Sequence, residues 1–171
     1  MELSAELMRQ QLTENLTTIQ AVNLILSSVM PFQEDRLGFL LMLLPVFAKP
    51  EGWSIRHRYC LALKKSFLPS LTETIEAGCR SGELFCLHPG PTGDLCFTLV
   101  NDLWCRICDC FLEAEAAGSP AQPGDLLDIL EQYRLAIVKM ISAPYGSIEL
   151  MKLADLKLLA DQIHIHWKVK N

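Results

Sequence analysis

The chain has 171 residues, a length that suits one domain with a sizeable core. Its 15 basic and 20 acidic side chains leave a net charge of −5, and this balance argues against a chain that binds a phosphate backbone by itself. Half of the residues are hydrophobic, so we expect apolar surface to be buried between subunits or to line an internal cavity.

The first segment, from Met1 to about Ser28, predicts one amphipathic helix. Its apolar residues recur at helical spacing on one face, and the other face is polar. Pro31 then breaks the chain, because the residue before a proline avoids the α region. A second helix is predicted from about Glu34 to Ala48, with apolar side chains nearly all round it.

A long third helix is predicted from Trp53 to Ala77, and we expect Pro69 to bend it. Gly78 to Gly82 is expected to form a hinge, after which Leu84 and Phe85 dock back on the helices. The residues expected to point inward from this helix share helical spacing: Ile55, Tyr59, Ala62, Leu63, Phe67, Leu71 and Ile75.

The fourth helix, predicted from Pro91 or Thr92 to about Ala116, is strongly apolar. Its few polar residues fall along one narrow seam, so well over half of its circumference is apolar. Such a helix must be covered on two sides, by a hollow or another helix inside and by a second molecule outside.

Two further helices complete the predicted chain. The fifth begins at Asp125, which is expected to cap it, and ends at about Ser142. The sixth is expected to begin at Ser147 and to point four residues inward: Leu156, Leu159, Ile163 and Trp167. The sequence therefore predicts a single all-α domain of six helices across residues 1–171.

One stretch carries a family resemblance. It runs Phe67-x-Pro69-x-Leu71, then Ile75-x-x-Gly78-x-x-x-Gly82-Glu83-Leu84-Phe85, then Pro89 and the long apolar helix. This order of parts resembles the C-terminal ligand-binding and dimerisation domain of TetR-family transcriptional regulators, over roughly Arg36 to Ala117. The helix-turn-helix head that such proteins use to bind DNA is absent from these residues.

The resemblance implies a homodimer, in which the fourth and fifth helices and their symmetry mates form a four-helix bundle. It also implies a small apolar effector among the second, third and fourth helices, and DNA binding only through the absent N-terminal head. The residues assigned to the dimer interface lie on the fourth and fifth helices: Leu99, Leu103, Phe111, Leu126, Leu130, Tyr133 and Ile137.

Five residues are candidates to meet the effector, because aromatic walls with a few polar groups are typical of small-molecule cavities. They are His57, Arg58, Tyr59, Asn101 and Trp104. An alternative is equally open. Tyr59 and Trp104 would then fill the core while His57 and Arg58 are solvated.

Seven cysteines at irregular spacing, with no signal peptide before them, predict reduced thiols in a cytoplasmic protein. Cys105 and Cys108 share a helix face, but Cys110 lies about 140° from Cys105, so no set of metal ligands converges. His164 and His166 point about 160° apart on a helix and cannot share an ion.

The sequence predicts neither an enzyme nor a cofactor. We find no Gly-rich phosphate loop, nucleophile elbow or carboxylate–histidine cluster, and nothing marks a third group beside His57 and Cys60. The apolar runs Leu37–Phe47 and Leu95–Leu112 are too short or too interrupted to cross a bilayer, so no membrane contact is expected.

Other interpretations of the whole chain stay open. In one interpretation, the DNA-binding head was removed from the protein. In another, the chain is a headless relative that acts as a protein-interaction module by pairing with a full-length protein. A helical ligand-binding protein unrelated to the TetR family is a further alternative, since a polar-faced first helix is also typical of ordinary helical domains.

Overall fold

The computed structural model describes residues 2–12, 15–30, 42, 46, 52–119, 121–152 and 154–161. Five helices have defined bounds within these ranges: α1 (Glu2–Leu12), α2 (Thr18–Val29), α3 (Trp53–Ser81), α4 (Pro89–Ala116) and α5 (Pro123–Ile141). Residues 154–161 are helical too, and the described ranges contain no strand. The all-α prediction is confirmed. Within the helix predicted over Glu34–Ala48, the structure describes residues 42 and 46, which are both helical; Ile163 and Trp167 lie outside the described residues.

The helices pack in a simple order, with α2 against α3, α3 against α4, and α4 against α5. Helix α1 contacts α2 and α3. One continuous apolar core joins all of these layers, and Phe67, Leu71 and Ile75 of α3 lie at its centre without any exposed surface. Because α4 lies between α3 and α5, its apolar flanks are covered within one chain. That cover is incomplete, since Leu95 is 56% exposed and Leu99 is half-buried, so the expectation of a second molecule stays a prediction.

The N-terminal segment forms two helices where the sequence predicted one. Thr17 caps α2, since its hydroxyl accepts a hydrogen bond from the Gln20 amide at 3.2 Å and the Gln20 side chain accepts one from the Thr17 amide at 2.9 Å. This reciprocal capping box satisfies two backbone donors that a helix start leaves open. It therefore fixes the start of α2 at residue 18 instead of letting the first helix continue.

Gly78 and Gly82 do not form the expected hinge, and each has a separate role. Helix α3 continues to Ser81, and Gly82 ends it in the left-handed conformation at φ 80°. Gly78 lies within the helix at a close approach, where a Cβ atom would come within 2.5 Å of the Thr18 side chain and 2.8 Å of Leu84. Leu84 docks into the core as expected, but Phe85 is 70% exposed.

The C-terminal segment returns to α2. Asp125 lies in the first turn of α5, whose cap position is Gln122, and residues 147–152 are not helical. The Ser147 hydroxyl donates to the Pro144 carbonyl at 2.7 Å, so this residue closes a turn and does not cap a helix. Leu156 and Leu159 are buried, in agreement with the prediction for the last helix.

Candidate functional site at the interface of α3 and α4

The first three turns of α3 project from the core. No side chain between residues 53 and 62 is buried, and the first buried residue of the helix is Leu63. The His57 ring stacks on Trp53, with ring centroids 5.6 Å apart and the planes nearly parallel. His57 and Arg58 are both exposed. These two predicted ligand-binding residues therefore lie at the accessible surface of α3.

The other three predicted ligand-binding residues lie closer to the core. Tyr59 is half-buried and packs against the core cluster. Trp104 is 5% exposed and forms part of that cluster. Asn101 is half-buried on α4, one helical turn before Trp104. The structure thus keeps Tyr59, Asn101 and Trp104 along the packed side of α3 and α4 and separates them from His57 and Arg58.

A polar pair joins the two helices at this boundary. The Cys60 thiol donates a hydrogen bond to the side-chain oxygen of Asn101, with 2.7 Å between Sγ and Oδ1. Both residues are half-buried. A polar group held among apolar neighbours must be hydrogen-bonded, because leaving it unpaired carries its full cost of desolvation. No local sequence pattern indicates this pair, since its members are 41 residues apart.

Burial dominates the titration of the nearby thiols. It raises the pKa of Cys60, Cys105 and Cys108, while the positive charge of Arg56 acts in the opposite direction on all three. The adjacent Asn101 side chain also lowers the pKa of Cys60, although less than burial raises it. These thiols are therefore protonated at neutral pH, and a protonated thiol is a poor nucleophile and a poor metal ligand.

No metal centre is formed by the part of the chain that the structure describes, where no group of three His, Cys, Asp or Glu side chains converges. Among the described helices, none is long and apolar enough to span a bilayer. The Cys60 thiol is directed to Asn101 and the His57 ring lies on Trp53. The geometry does not bring Cys60 and His57 together as a nucleophile and its base.

Three surface pockets lie elsewhere on the described residues. One of about 230 Å³ lies between α2 and residues 149–155, and one of about 240 Å³ lies at the turn between α4 and α5. The third is an open groove of about 520 Å³ along α3, between Lys64 and Glu76. None of the three is lined by the five predicted ligand-binding residues.

The predicted dimer interface needs correction. Five of its seven residues lie in the core of the single chain and are at most 4% exposed: Leu103, Phe111, Leu126, Leu130 and Ile137. Their side chains are already covered by the chain's own helices, so in this conformation they present no surface to a partner. Leu99 and Tyr133 are half-buried and keep part of their surface accessible.

A different row of residues on α4 and α5 keeps part of its surface accessible. We call it the outer face, and its members are Leu95, Leu99, Asp102 and Arg106 on α4 with Ile129, Tyr133, Ala136 and Met140 on α5. Within each helix these residues follow a 4-3-4 spacing, which places them on one side. All eight are half-buried or exposed. This spacing is visible in the sequence, but the buried residues of α4 and α5 follow the same periodicity. The sequence therefore does not distinguish the accessible row from the buried ones.

Tyr133 links the two helices across the outer face. Its hydroxyl donates a short hydrogen bond to the Asp102 carboxylate. Burial and the adjacent Asp102 raise the pKa of Tyr133 to about 12, against a smaller opposing effect of Arg106. The phenol therefore stays protonated at physiological pH and remains a hydrogen-bond donor.

Comparison with known proteins identifies no relative of this chain. Neither a scan of protein-family models nor searches of curated proteins and of solved structures found a match.

Proposed function

We propose that this chain is the effector-binding and dimerising body of a TetR-like transcriptional regulator. A small, mostly apolar effector binds between α3 and α4, two chains associate through the outer face, and DNA is bound by a helix-turn-helix head outside these residues. The all-helical architecture supports the proposal, and so does the motif between Phe67 and Phe85. The effector changes DNA binding by shifting the population of two conformations, in proportion to its difference in affinity for them.

The observation that carries the effector site is the Cys60–Asn101 pair. It joins α3 and α4 by a polar contact between two half-buried side chains; Tyr59 precedes Cys60 in the sequence, and the buried Trp104 lies one turn after Asn101. A few placed polar groups among aromatic walls give a small apolar ligand its orientation. The first turns of α3 contain no fully buried side chain, so we expect them to move more readily than the rest of the helix when a ligand enters between Tyr59 and Trp104.

Ligand-induced stabilisation tests this site. We expect some members of a panel of apolar aromatic compounds with one hydroxyl or amide group to raise the melting temperature, because a ligand at 100 times its Kd stabilises by about 2.7 kcal/mol. The chain has three tryptophans, so Trp53→Phe with Trp167→Phe leaves Trp104 as the single fluorophore for binding titrations.

Asn101→Leu should abolish both the stabilisation and the fluorescence change. Leu61→Ala, at an exposed position on the same helix as Cys60, should preserve them. A panel without any stabilising compound, or a ligand that binds the Asn101→Leu protein equally well, would refute the site.

The outer face is tested by the oligomeric state. We expect sedimentation of the wild-type chain at micromolar concentration to show a dimer, and Leu99→Glu to make it a monomer, because a charge buried at an interface has no partner there. Leu61→Glu is the matched control, since Leu61 is exposed on α3 and lies outside this face. A wild-type monomer would contradict the proposal.

The pH dependence of stability provides a second test of Tyr133. The fold raises its pKa to about 12, so the folded state retains this proton after the unfolded state, with a tyrosine pKa of about 10, has lost it. The free energy of unfolding should therefore fall as pH rises from about 10 to 12. Tyr133→Phe should reduce this slope, and an unchanged slope would show that the phenol is not held by Asp102.

A further inference from the structure

Two cysteines lie side by side at the end of α3. Cys79 is in the last turn of that helix and Cys86 is in the connector to α4, and their sulfur atoms are 3.6 Å apart. Both thiols are free and half-buried, so a small molecule in solution can reach them. This pair is separate from the Cys60–Asn101 pair, because Cys79 lies about five turns beyond Cys60 on α3.

The connector is held so that the two sulfurs stay together. The Leu84 amide donates to the Gly78 carbonyl at 3.1 Å, and the Phe85 amide donates to the Ile141 carbonyl at 3.0 Å. Leu84 is buried in the core next to Gly78. The backbone is therefore fixed immediately before Cys86, against the same turn of α3 that carries Cys79.

We propose that Cys79 and Cys86 are a dithiol modification site that low-molecular-weight disulfides of the glutathione type oxidise to an intramolecular disulfide. A disulfide has an S–S length of about 2.05 Å and a Cβ–Cβ distance of about 3.5–4.5 Å. The two sulfurs must therefore approach by about 1.5 Å. Side-chain rotation supplies a movement of this size. The six intervening residues form a short loop, which makes ring closure easy once the connector is docked.

The reaction balances as two successive exchanges. One protein thiolate attacks a sulfur of the small disulfide, forms a mixed disulfide and releases one small thiolate. The second protein thiolate then attacks the protein sulfur of the mixed disulfide, forms the Cys79–Cys86 bond and releases the second small thiolate. The protein loses two protons and two electrons, and the small disulfide becomes two thiols.

The neighbouring cysteines are poor candidates for the same chemistry. Cys96 and Cys108 are buried, and burial raises the pKa of Cys96 to about 12 and that of Cys108 well above its ordinary value. Burial and the adjacent Cys79 also raise the pKa of Cys86. Closure of the Cys79–Cys86 bond should therefore become faster as pH rises above neutrality, because exchange needs the thiolate.

Peptide mapping of the full chain tests the site. The protein is incubated in glutathione buffers of increasing oxidised fraction, remaining thiols are alkylated, and trypsin then cleaves after Lys65, Arg80 and Arg106. Arg80 lies between the two cysteines, so their disulfide joins the peptides 66–80 and 81–106, which separate again on reduction. We expect this linked pair to become the dominant disulfide product.

Variants identify the sulfurs involved. Cys96→Ala should preserve the linked pair, while Cys79→Ser and Cys86→Ser should each abolish it. A linked pair that persists in Cys86→Ser but disappears in Cys96→Ala would overturn the assignment, and so would its absence from wild-type protein in fully oxidised glutathione. Peptide 81–106 also contains Cys96 and Cys105, so fragmentation of the linked wild-type peptides in a mass spectrometer must place the bond at Cys86; a bond at Cys96 or Cys105 would overturn the assignment, even if a serine variant fails to fold.

Discussion

Both halves of α3 carry apolar residues at helical spacing, but the two halves have very different surroundings. From Leu63 onward, every fourth residue enters the core, and Phe67, Leu71 and Ile75 have no exposed surface. From Trp53 to Ala62 nothing is buried, although this half contains Trp53, Ile55 and Leu61, which are 68%, 49% and 53% exposed. The comparison teaches that helical spacing predicts which residues share a side but not whether another element covers that side.

The two halves also differ in charge. The first half carries Arg56 and Arg58 and no acidic residue, and the first acidic residue of the helix is Glu73. The long stems of basic side chains near Trp53 can cover part of its apolar surface while their charged ends stay in water. We therefore expect substitutions in the second half to change the stability of the fold strongly, and those in the first half to change it little.

Phe67→Ala should show the largest effect. Truncating a fully buried phenylalanine removes its contacts and leaves a cavity, so we expect a loss of about 3–5 kcal/mol in the free energy of unfolding. Trp53→Ala is the matched control in the first half and should cost less than about 0.5 kcal/mol. Urea denaturation followed by circular dichroism measures both. Equal losses would mean that the first half is covered as well.

Gly78→Ala should have the second-largest effect on the free energy of unfolding. The added Cβ would lie within 2.5 Å of the Thr18 side chain and 2.8 Å of Leu84, which forces a rearrangement that costs about 1–3 kcal/mol. Gly90→Ala in α4 meets no atom within 4 Å and should be neutral or stabilise by up to about 1 kcal/mol. The same denaturation experiment separates them, and a neutral Gly78→Ala would show that α2 is not packed on this turn.

Asn101→Ala should have a smaller effect. Asn101 is on α4, and its partner Cys60 lies near the boundary between the two halves of α3. It removes the acceptor of the Cys60 thiol and should cost about 1 kcal/mol. A double-mutant cycle with Cys60→Ala measures the coupling between the two side chains. Strictly additive losses would contradict the hydrogen bond and would weaken the proposed effector site, which depends on this pair.

Ile55→Ser should have the smallest effect. The sequence predicted that Ile55 points inward, whereas the structure leaves half of its surface exposed. We therefore expect a change within about 0.5 kcal/mol. A loss of more than about 2 kcal/mol, measured by the same denaturation, would show that this end of α3 is buried.

The existence of α3, α4 and α5 was predictable because each is long and strongly periodic. The bounds differ by a few residues, and the break at Thr17 was also visible as a Thr-x-x-Gln capping box. The exposure of Phe85 was not predictable in the same way. Its neighbour Leu84 takes the space against Gly78, and the two residues have equal hydrophobic character in the sequence.

Predicting which residues form the candidate sites requires the relative rotation of the helices. Local sequence patterns do not determine that rotation. Tyr59, Asn101 and Trp104 were identified as site candidates, but the role of Cys60 required knowing that it meets a residue 41 positions away. The dimer residues show the same limit. Leu103 and Leu99 have the same side chain one turn apart, and only the packing of α3 and α5 distinguishes the buried one from the accessible one.

The side chain of Asn23 connects the beginning of the chain to its end. Its amide nitrogen donates to the Ser147 carbonyl at 2.8 Å, and its oxygen accepts from the Glu149 amide at 2.9 Å. Ile148 and Leu150 are buried beside these contacts. During synthesis on the ribosome, α2 must therefore wait until more than 120 further residues have been translated before this side of it is sealed. Over that interval its apolar surface is open to chaperones and to aggregation.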